Sequence, residues 1–423
     1  MYFIPFIYFS CLTFYFWHEH RTFNLAVYIS SLYVITSLCS ILMITGGYLN
    51  AEGGGVLVDG WEPEFGFIPT VLYCGLITLT IIPFSFIRTD KLTSIINVHP
   101  YIIYAFTFFI LLQGLIVFYL VGEFLTDILS GDFKDLKDAG YAGDITPADA
   151  KMQTMPFPLQ VLYFLSFMTL LGIPLFFYYS CIEKRSLWLT SPLLFVSITP
   201  VLRGMLSADR TEIIHYGLMF LFCIVFFQNI ITQKIRKFFF IIGIPVTIIG
   251  IAYVVAVSAS RFEHADEGAG GSMLEYAGQS YANFCYFYDN HNRGLYYLER
   301  ETPLTSYAFL KTQYVDTKEE RSAKEGFFVG VFASHVGSWF LDAGEIGAIL
   351  FSSLFALLCC LIIKHYNRTE FDIADILILF TLGVVPTFGI FYYRYYSLQT
   401  AVVYAAAIPL YLLSKVVFVW KTK

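Results

Sequence analysis

About eleven stretches of this chain are long and apolar enough to cross a bilayer, and that repetition limits the fold more than any other feature. Inside hydrocarbon no water is at hand for backbone amides and carbonyls, so each run reads as a helix whose hydrogen bonds are internal. A span needs roughly 20 mainly apolar residues. The runs lie near 1–17, 23–48, 66–87, 101–123, 158–181, 187–203, 211–231, 238–258, 342–363, 371–392 and 397–419. Composition agrees: the 423 residues are 57% hydrophobic and 14% charged, against about 25% charged in an ordinary soluble domain. The expectation is an all-α, polytopic membrane protein, with residues 1–423 forming a single integral membrane domain.

Orientation follows from the connections. One alternate set contains Arg21, then Arg88 and Lys91, Lys184 and Arg185, Lys234, Arg236 and Lys237, Lys364 and Arg368, and finally Lys421 and Lys423. The other set includes a segment from Asn50 to Phe65 with no Lys or Arg and an acidic segment from Glu123 to Phe157. Short basic loops mark the cytoplasmic side, which puts the N-terminus outside and the C-terminus inside. The first apolar run is followed by the polar residues His18 to Arg21 and another apolar run, so it reads as a span and not as a cleavable leader.

Two outer segments are long. Residues 124–157 contain the run DFKDLKD (132–138), which reads as an amphipathic surface helix. Residues 259–326 are the main extramembrane mass. They open on an acidic, Gly-rich stretch (264–272). A Tyr- and Phe-rich segment (273–288) then suits a helix lying at headgroup level, and a charged stretch (318–325) reads as a solvated helix. Cys11, Cys39, Cys74, Cys181, Cys223, Cys359 and Cys360 lie in or at the ends of apolar runs, and only Cys285 falls in an outer loop. No disulfide framework or zinc spacing is visible. The formal net charge of -6 and the lack of a dense basic run give no footing for nucleic acid.

Cations on the outer side run against the usual bias. Arg203, Arg210 and Arg394 occupy very short outer connections, and Arg261 opens the largest outer loop. Ionisable groups at a membrane edge commonly face a cavity and act there, so an anionic ligand presented from outside is expected. Arg210 lies in the run SADRTE (207–212), where a local ion pair with Asp209 or Glu212 is the alternative. Arg261 could equally snorkel to outer lipid phosphates. Arg394 sits among tyrosines in YYRYY (392–396), where Arg can stack on rings and hold phosphate bidentately, or simply anchor an aromatic belt. The Gly-rich stretch 330–347 carries His335, Trp339, Asp342 and Glu345, with Gly337, Gly344 and Gly347 permitting close approach or a helix break. His335 is a candidate general base. Asp342 is a second candidate, or a capping group. Tyr276, Trp339, Tyr393 and Tyr395 are candidate sugar platforms. No GxSxG elbow, P-loop, HExxH or paired-Asp metal motif is present. Any chemistry would therefore run on positioning and on cationic stabilisation of a leaving group, without a metal or cofactor.

Three runs carry a family likeness: SADR (207–210) opening a span, SASR (258–261) followed by EYAGQSYANF (275–284), and FLDAGEIG (340–347) opening the ninth span. In order and in side of the membrane, the chain resembles the Wzy-type oligosaccharide repeat unit polymerases that build O-antigen and capsule. The related O-antigen ligases carry a His in an outer loop ahead of GxxG, as His335 stands ahead of GEIG (344–347). The resemblance implies a GT-C-like bundle of about eleven helices in a bacterial inner membrane, with a long periplasmic loop between helices 8 and 9. It implies transfer of a growing glycan from undecaprenyl diphosphate to a hydroxyl of an incoming lipid-linked repeat unit, with inversion and without metal. Arg210 and Arg261, with Arg394 and Arg203, would hold the diphosphate, and His335 or Asp342 would take the proton. The implied partners are undecaprenyl-diphosphate-linked oligosaccharide, the bilayer and a chain-length regulator.

Two other classes stay open. A flippase for lipid-linked oligosaccharide would place charges near the middle of several spans and show related halves. Another membrane-embedded transferase is the third reading.

Overall fold

The protein is described from a computed structural model. It covers residues 1–48, 64–87, 94–96, 100–124, 147–183, 185–205, 209–261, 268–291, 322–323, 325–364 and 370–421. The expected surface helix at 132–138, nearly all of the 50–65 segment, most of the charged stretch at 318–325 and residues 206–208 lie outside these.

Helix dominates. Six helices are long and apolar enough to cross a membrane, as in a polytopic membrane protein: α2 (Leu25–Thr45), α3 (Phe67–Ser85), α4 (Pro100–Glu123), α6 (Phe157–Ile182), α7 (Leu187–Met205) and α12 (Ser334–Lys364). Four shorter apolar stretches accompany them, all or part of α8 (Thr211–Phe227), α10 (Ile244–Arg261), α13 (Ile373–Phe388) and α14 (Leu398–Lys421). The remaining helices are α1 (Ile4–His20), α5 (Pro147–Thr154), α9 (Gln233–Phe238) and α11 (Gly268–Asn290). The only strands among the described residues are β1 (Ser94–Ile96) and β2 (Glu370–Asp372), a three-residue parallel pair. A helix accompanies every apolar run read from the sequence. The α2 start shows why the boundaries fall where they do: Asn24 is extended, and its Oδ1 accepts from the Val27 amide at 2.9 Å, capping a donor the helix cannot use itself.

The chain divides into two compact units. The first comprises residues 1–88, 262–367 and 382–401. Within it α11 packs along α2 and touches α3, while α12 packs against α3. Gly278 sets the α2–α11 approach, since a Cβ there would stand 2.7 Å from the Cys39 carbonyl and the Ser40 amide nitrogen. The sequence reading put residues 273–288 in a helix at the lipid interface. Instead α11 begins at Gly268 and is buried, with Glu275, Gln279 and Asn283 almost fully shielded. These recur every four residues and so share one face. A buried polar face needs partners, and the loop before α12 supplies them.

The second unit comprises residues 89–261, 368–381 and 402–423. In it α6 is irregular, passing through a 3-10 stretch at Leu165–Leu171 and a π turn at Tyr178–Ile182. Its apolar side is closed by stacked rings such as Phe177 on Phe227, at 5.2 Å between centroids.

The break in α12 shapes the first unit most. Gly344 has φ 67° and ψ −170°, a conformation open essentially to glycine alone. Trp339 and Phe355 stand sixteen residues apart, which is about 24 Å along a straight helix. Their ring centroids are 6.3 Å apart, and Trp339 is also 6.0 Å from Phe351. The helix therefore folds back on itself at Gly344. The part before the break is short and buried. The part after it shows Ile346, Leu350, Leu354, Leu357 and Leu361 outward, as a lipid-facing span would. The span expected to begin near 342 matches this second part.

Candidate functional site

The site is built where the turn after α13 meets the start of α12, inside the first unit. A helix leaves its first amides unsatisfied. Here the turn answers them: the Ser334 amide donates to the Phe391 carbonyl at 2.7 Å and the His335 amide to the Gly389 carbonyl at 2.9 Å. This is why the helix begins at Ser334, ahead of the expected start. Ser334 itself takes φ 64°, in the left-handed region that non-glycine residues rarely occupy. Further along, the Tyr393 amide donates to Ser338 Oγ at 3.3 Å.

The polar face of α11 holds both partners of this junction. Ser280 Oγ donates to the Ile390 carbonyl at 2.6 Å, and Asn283 Nδ2 donates to the Phe332 carbonyl at 2.7 Å. Gln279 Oε1 accepts from the Phe332 amide at 3.3 Å and from Asn283 Nδ2 at 3.0 Å. Tyr276 packs edge-on against Phe332, with centroids 5.4 Å apart.

His335 sits at the centre with no exposed surface. Its Nε2 lies 3.2 Å from Thr80 Oγ1 on α3. Its Nδ1 lies 3.3 Å from both the Tyr33 hydroxyl on α2 and the Gly389 carbonyl. The Trp339 indole stands perpendicular to the imidazole at 5.0 Å. Trp339 also meets Tyr393 at 5.5 Å, and Tyr393 meets Tyr395 edge-on at 6.0 Å. Asp342, fully buried, ends the first part of α12 just before the Gly344 break. Arg394 is 5% exposed. Its Nη1 donates to the Tyr392 hydroxyl at 3.2 Å, and the guanidinium lies over the Phe388 ring at 5.5 Å. Two stretches that the sequence separates by some fifty residues thus meet through Trp339 and Tyr393, with His335 and Asp342 on the helix that carries Trp339 and with Arg394 and Tyr395 in the turn that carries Tyr393.

The second unit holds the other arginines. Arg203 on α7 donates through Nη1 to the Tyr163 carbonyl at 3.3 Å and to Ser166 Oγ at 3.1 Å. Its guanidinium lies over the Tyr163 ring at 4.1 Å and the Phe167 ring at 4.8 Å. Arg210 immediately precedes α8 and is 9% exposed. Asp209 Oδ1 accepts from the Thr211 amide at 3.0 Å, as a capping carboxylate does. The Glu212 and His215 side chains are both buried and 3.7 Å apart, and Tyr253 of α10 lies within electrostatic reach of Asp209 and Arg210. Arg261 is the last residue of α10, and its side chain lies outside the described residues.

Sequence reasoning missed Tyr33, Thr80 and Gly389. The first two are hydroxyls inside apolar runs and carry no motif. Gly389 had a signal, since a glycine just ahead of an Arg-Tyr turn invites a close approach. Among the described residues no three His, Cys, Asp or Glu side chains converge as metal ligands. No family profile, characterised protein or solved structure matches this chain.

Proposed function

We propose that this chain is a membrane-embedded polymerase of lipid-linked oligosaccharide repeat units, with about eleven spans, a GT-C-like architecture and its site on the periplasmic face of a bacterial inner membrane. The observation that carries the reading is the junction in the first unit, where a buried arginine in a tyrosine-rich turn is stapled to a helix start bearing a histidine, a tryptophan and an aspartate. That set has what metal-free transfer of a sugar from a diphosphate needs: a guanidinium for the phosphates, flat rings for sugar faces, and a proton acceptor.

In the reaction the acceptor hydroxyl oxygen bonds to the anomeric carbon of the donor glycan. The bond from that carbon to the diphosphate oxygen breaks, and undecaprenyl diphosphate leaves with the electron pair. The hydroxyl proton goes to His335 or Asp342. Attack opposite the leaving group inverts the anomeric centre. Trp339, Tyr393, Tyr395 and Tyr276 are the assigned glycan contacts and Arg394 an assigned diphosphate ligand. Arg210 and Arg261 carry the same assignment on the second unit and are tested separately. Arg203 is assigned a structural part, because its guanidinium is already engaged by a carbonyl, a hydroxyl and two ring faces.

The test is chain length in cells lacking the gene and complemented with variants. Wild type should restore a ladder of glycan lengths. Arg394→Ala, Arg210→Ala and Arg261→Ala should leave only the single-repeat glycolipid. Normal ladders from all three variants would remove the diphosphate role.

A second reading, a proton-coupled flippase for the same lipid-linked glycan, has its own support. Glu275, Asp342, Asp375 and His335 are almost fully buried within helices, and ionisable groups inside membrane helices often mark proton paths. The two readings part on where unextended glycolipid collects after gene loss. A lost polymerase leaves it in the outer leaflet, and a lost flippase leaves it in the inner one.

A further inference from the structure

Counting hydrogens around His335 leads past the assignment of a base. Each donor and acceptor in a buried site needs a complement, because an unmatched one keeps its full desolvation cost. Thr80 Oγ1 donates its single hydrogen to the Ile77 carbonyl at 2.7 Å. While it does so, Thr80 accepts from His335 Nε2, 3.2 Å away. So Nε2 carries a hydrogen. In a neutral ring Nδ1 is then a lone pair, and it faces two oxygens. The Gly389 carbonyl at 3.3 Å has no hydrogen to give. The Tyr33 hydroxyl, also at 3.3 Å, has one.

That hydroxyl also donates to the Pro386 carbonyl at 2.9 Å, the shorter of its two contacts. We infer that Tyr33 and Thr80 are positioning residues that hold neutral His335 as the Nε2–H tautomer, with the Tyr33 hydrogen turned between His335 Nδ1 and the Pro386 carbonyl according to the charge on the ring. When the ring is neutral, Tyr33 donates to Nδ1. When Nδ1 takes a proton, it donates to the Gly389 carbonyl and to the Tyr33 oxygen, and the Tyr33 hydrogen turns to Pro386. One proton enters, one hydroxyl rotates, and the Tyr33 hydrogen passes from Nδ1 to the Pro386 carbonyl. The other ring packed on the imidazole is Trp339, which neither gives nor takes a proton there.

This deepens the polymerase reading, because it gives the hydroxyl proton a defined resting atom. Only the catalytic use of that atom rests on the reading, and the tautomer stands apart from it. The test uses the full chain in lipid nanodiscs with 15N-labelled histidine rings, and the His335 signal is the one missing from a His335→Asn sample. Nitrogen shifts separate the Nε2–H, Nδ1–H and doubly protonated rings. For the neutral ring the expected form is Nε2–H in wild type. Among the described residues Tyr33 is the donor at Nδ1, so in Tyr33→Phe the ring should flip to Nδ1–H, donating to Gly389, and Thr80 should turn its hydrogen from the Ile77 carbonyl to Nε2. Thr80→Val should flip it too, and Thr80→Ser should restore Nε2–H. The Thr80 pair decides the matter if Tyr33→Phe does not fold. A wild-type Nδ1–H ring overturns the inference, as does a ring that neither Tyr33→Phe nor Thr80→Val moves.

Turnover of purified lipid-linked repeat units on the same samples tests the rest. Loss of an oriented base should lower kcat by about 100-fold in Tyr33→Phe and leave KM nearly unchanged. A flipped ring with unchanged kcat keeps the positioning role and removes His335 from the transfer. An unmoved ring removes the positioning role whatever kcat does.

Discussion

Gly389 sits closer to the imidazole of His335 than any other residue could. A Cβ there would stand 2.4 Å from Nδ1 and 2.1 Å from the Val385 carbonyl oxygen. Neither can retreat, because one ring nitrogen is tied to Thr80 and the carbonyl belongs to the α13 backbone. Gly389→Ala should therefore destabilise the first unit by about 1–3 kcal/mol, the range for overpacked sites. Thermal unfolding followed by Trp339 fluorescence would report it, and an unchanged midpoint would show that the ring moves freely. Arg203 tests the opposite kind of residue. Its ring faces and carbonyl partner predict that Arg203→Ala lowers the unfolding midpoint, while Arg203→Lys recovers only part, since an ammonium loses the planar stacking. Equal midpoints for the two variants would argue against the stack. Residues such as His335, Arg394 and Asp342 stand out in a sequence because polar groups are scarce in an apolar chain. Tyr33 does not, because it is one of 31 tyrosines, and nothing local separates the one that faces a histidine from the rest.

At the scale of the element, the break in α12 divides one apolar helix into a buried arm and an arm with an exposed apolar face. Gly344→Ala must either strain the backbone, at about 1–3 kcal/mol, or straighten the helix and pull Trp339 from Phe351 and Phe355. A red-shifted Trp339 emission would mark the second outcome, and a wild-type spectrum with a wild-type midpoint would contradict both. The C-terminal end of α11 offers a pH test. Burial, and secondarily the Glu64 carboxylate, hold the Asp289 carboxyl above the usual aspartate range. A raised carboxyl favours the folded state while protonated. Its contribution is whole below about pH 4 and fades as pH rises through the shifted value. Asp289→Asn should therefore flatten the fall in unfolding midpoint between acid and neutral pH, and an unaltered slope would exclude this source. Run length made every apolar stretch legible as a helix. The burial of α11 was not legible, since its tyrosines suit a membrane interface and a packed core equally. The close approach at Gly278 depends on residues in α2 that lie far away in sequence. The early start of α12 was hidden for the same reason, because its capping carbonyls come from residues 389 and 391.

For the whole molecule, the helical class and the repeated spans follow from composition and run length alone. The division into two units does not, because each gathers separate stretches of chain. The side of the membrane is a prediction of its own. Single cysteines placed at Lys237 and at Glu64 in a cysteine-free background should react with an impermeant maleimide from opposite faces, Lys237 only after the inner face is opened. Labelling of both from one face would overturn the orientation and, with it, a periplasmic site. The way the first unit is gathered also bears on how a cell makes it. Its first three helices leave the ribosome long before α11 and α12, by on the order of ten seconds at ordinary elongation rates. Throughout that wait Tyr33 and Thr80 have no imidazole, and the α2 groove at Cys39 and Ser40 stands open. Newborn chains stopped near residue 261 should thus be held by insertases or destroyed by membrane proteases, whereas full-length chains escape both.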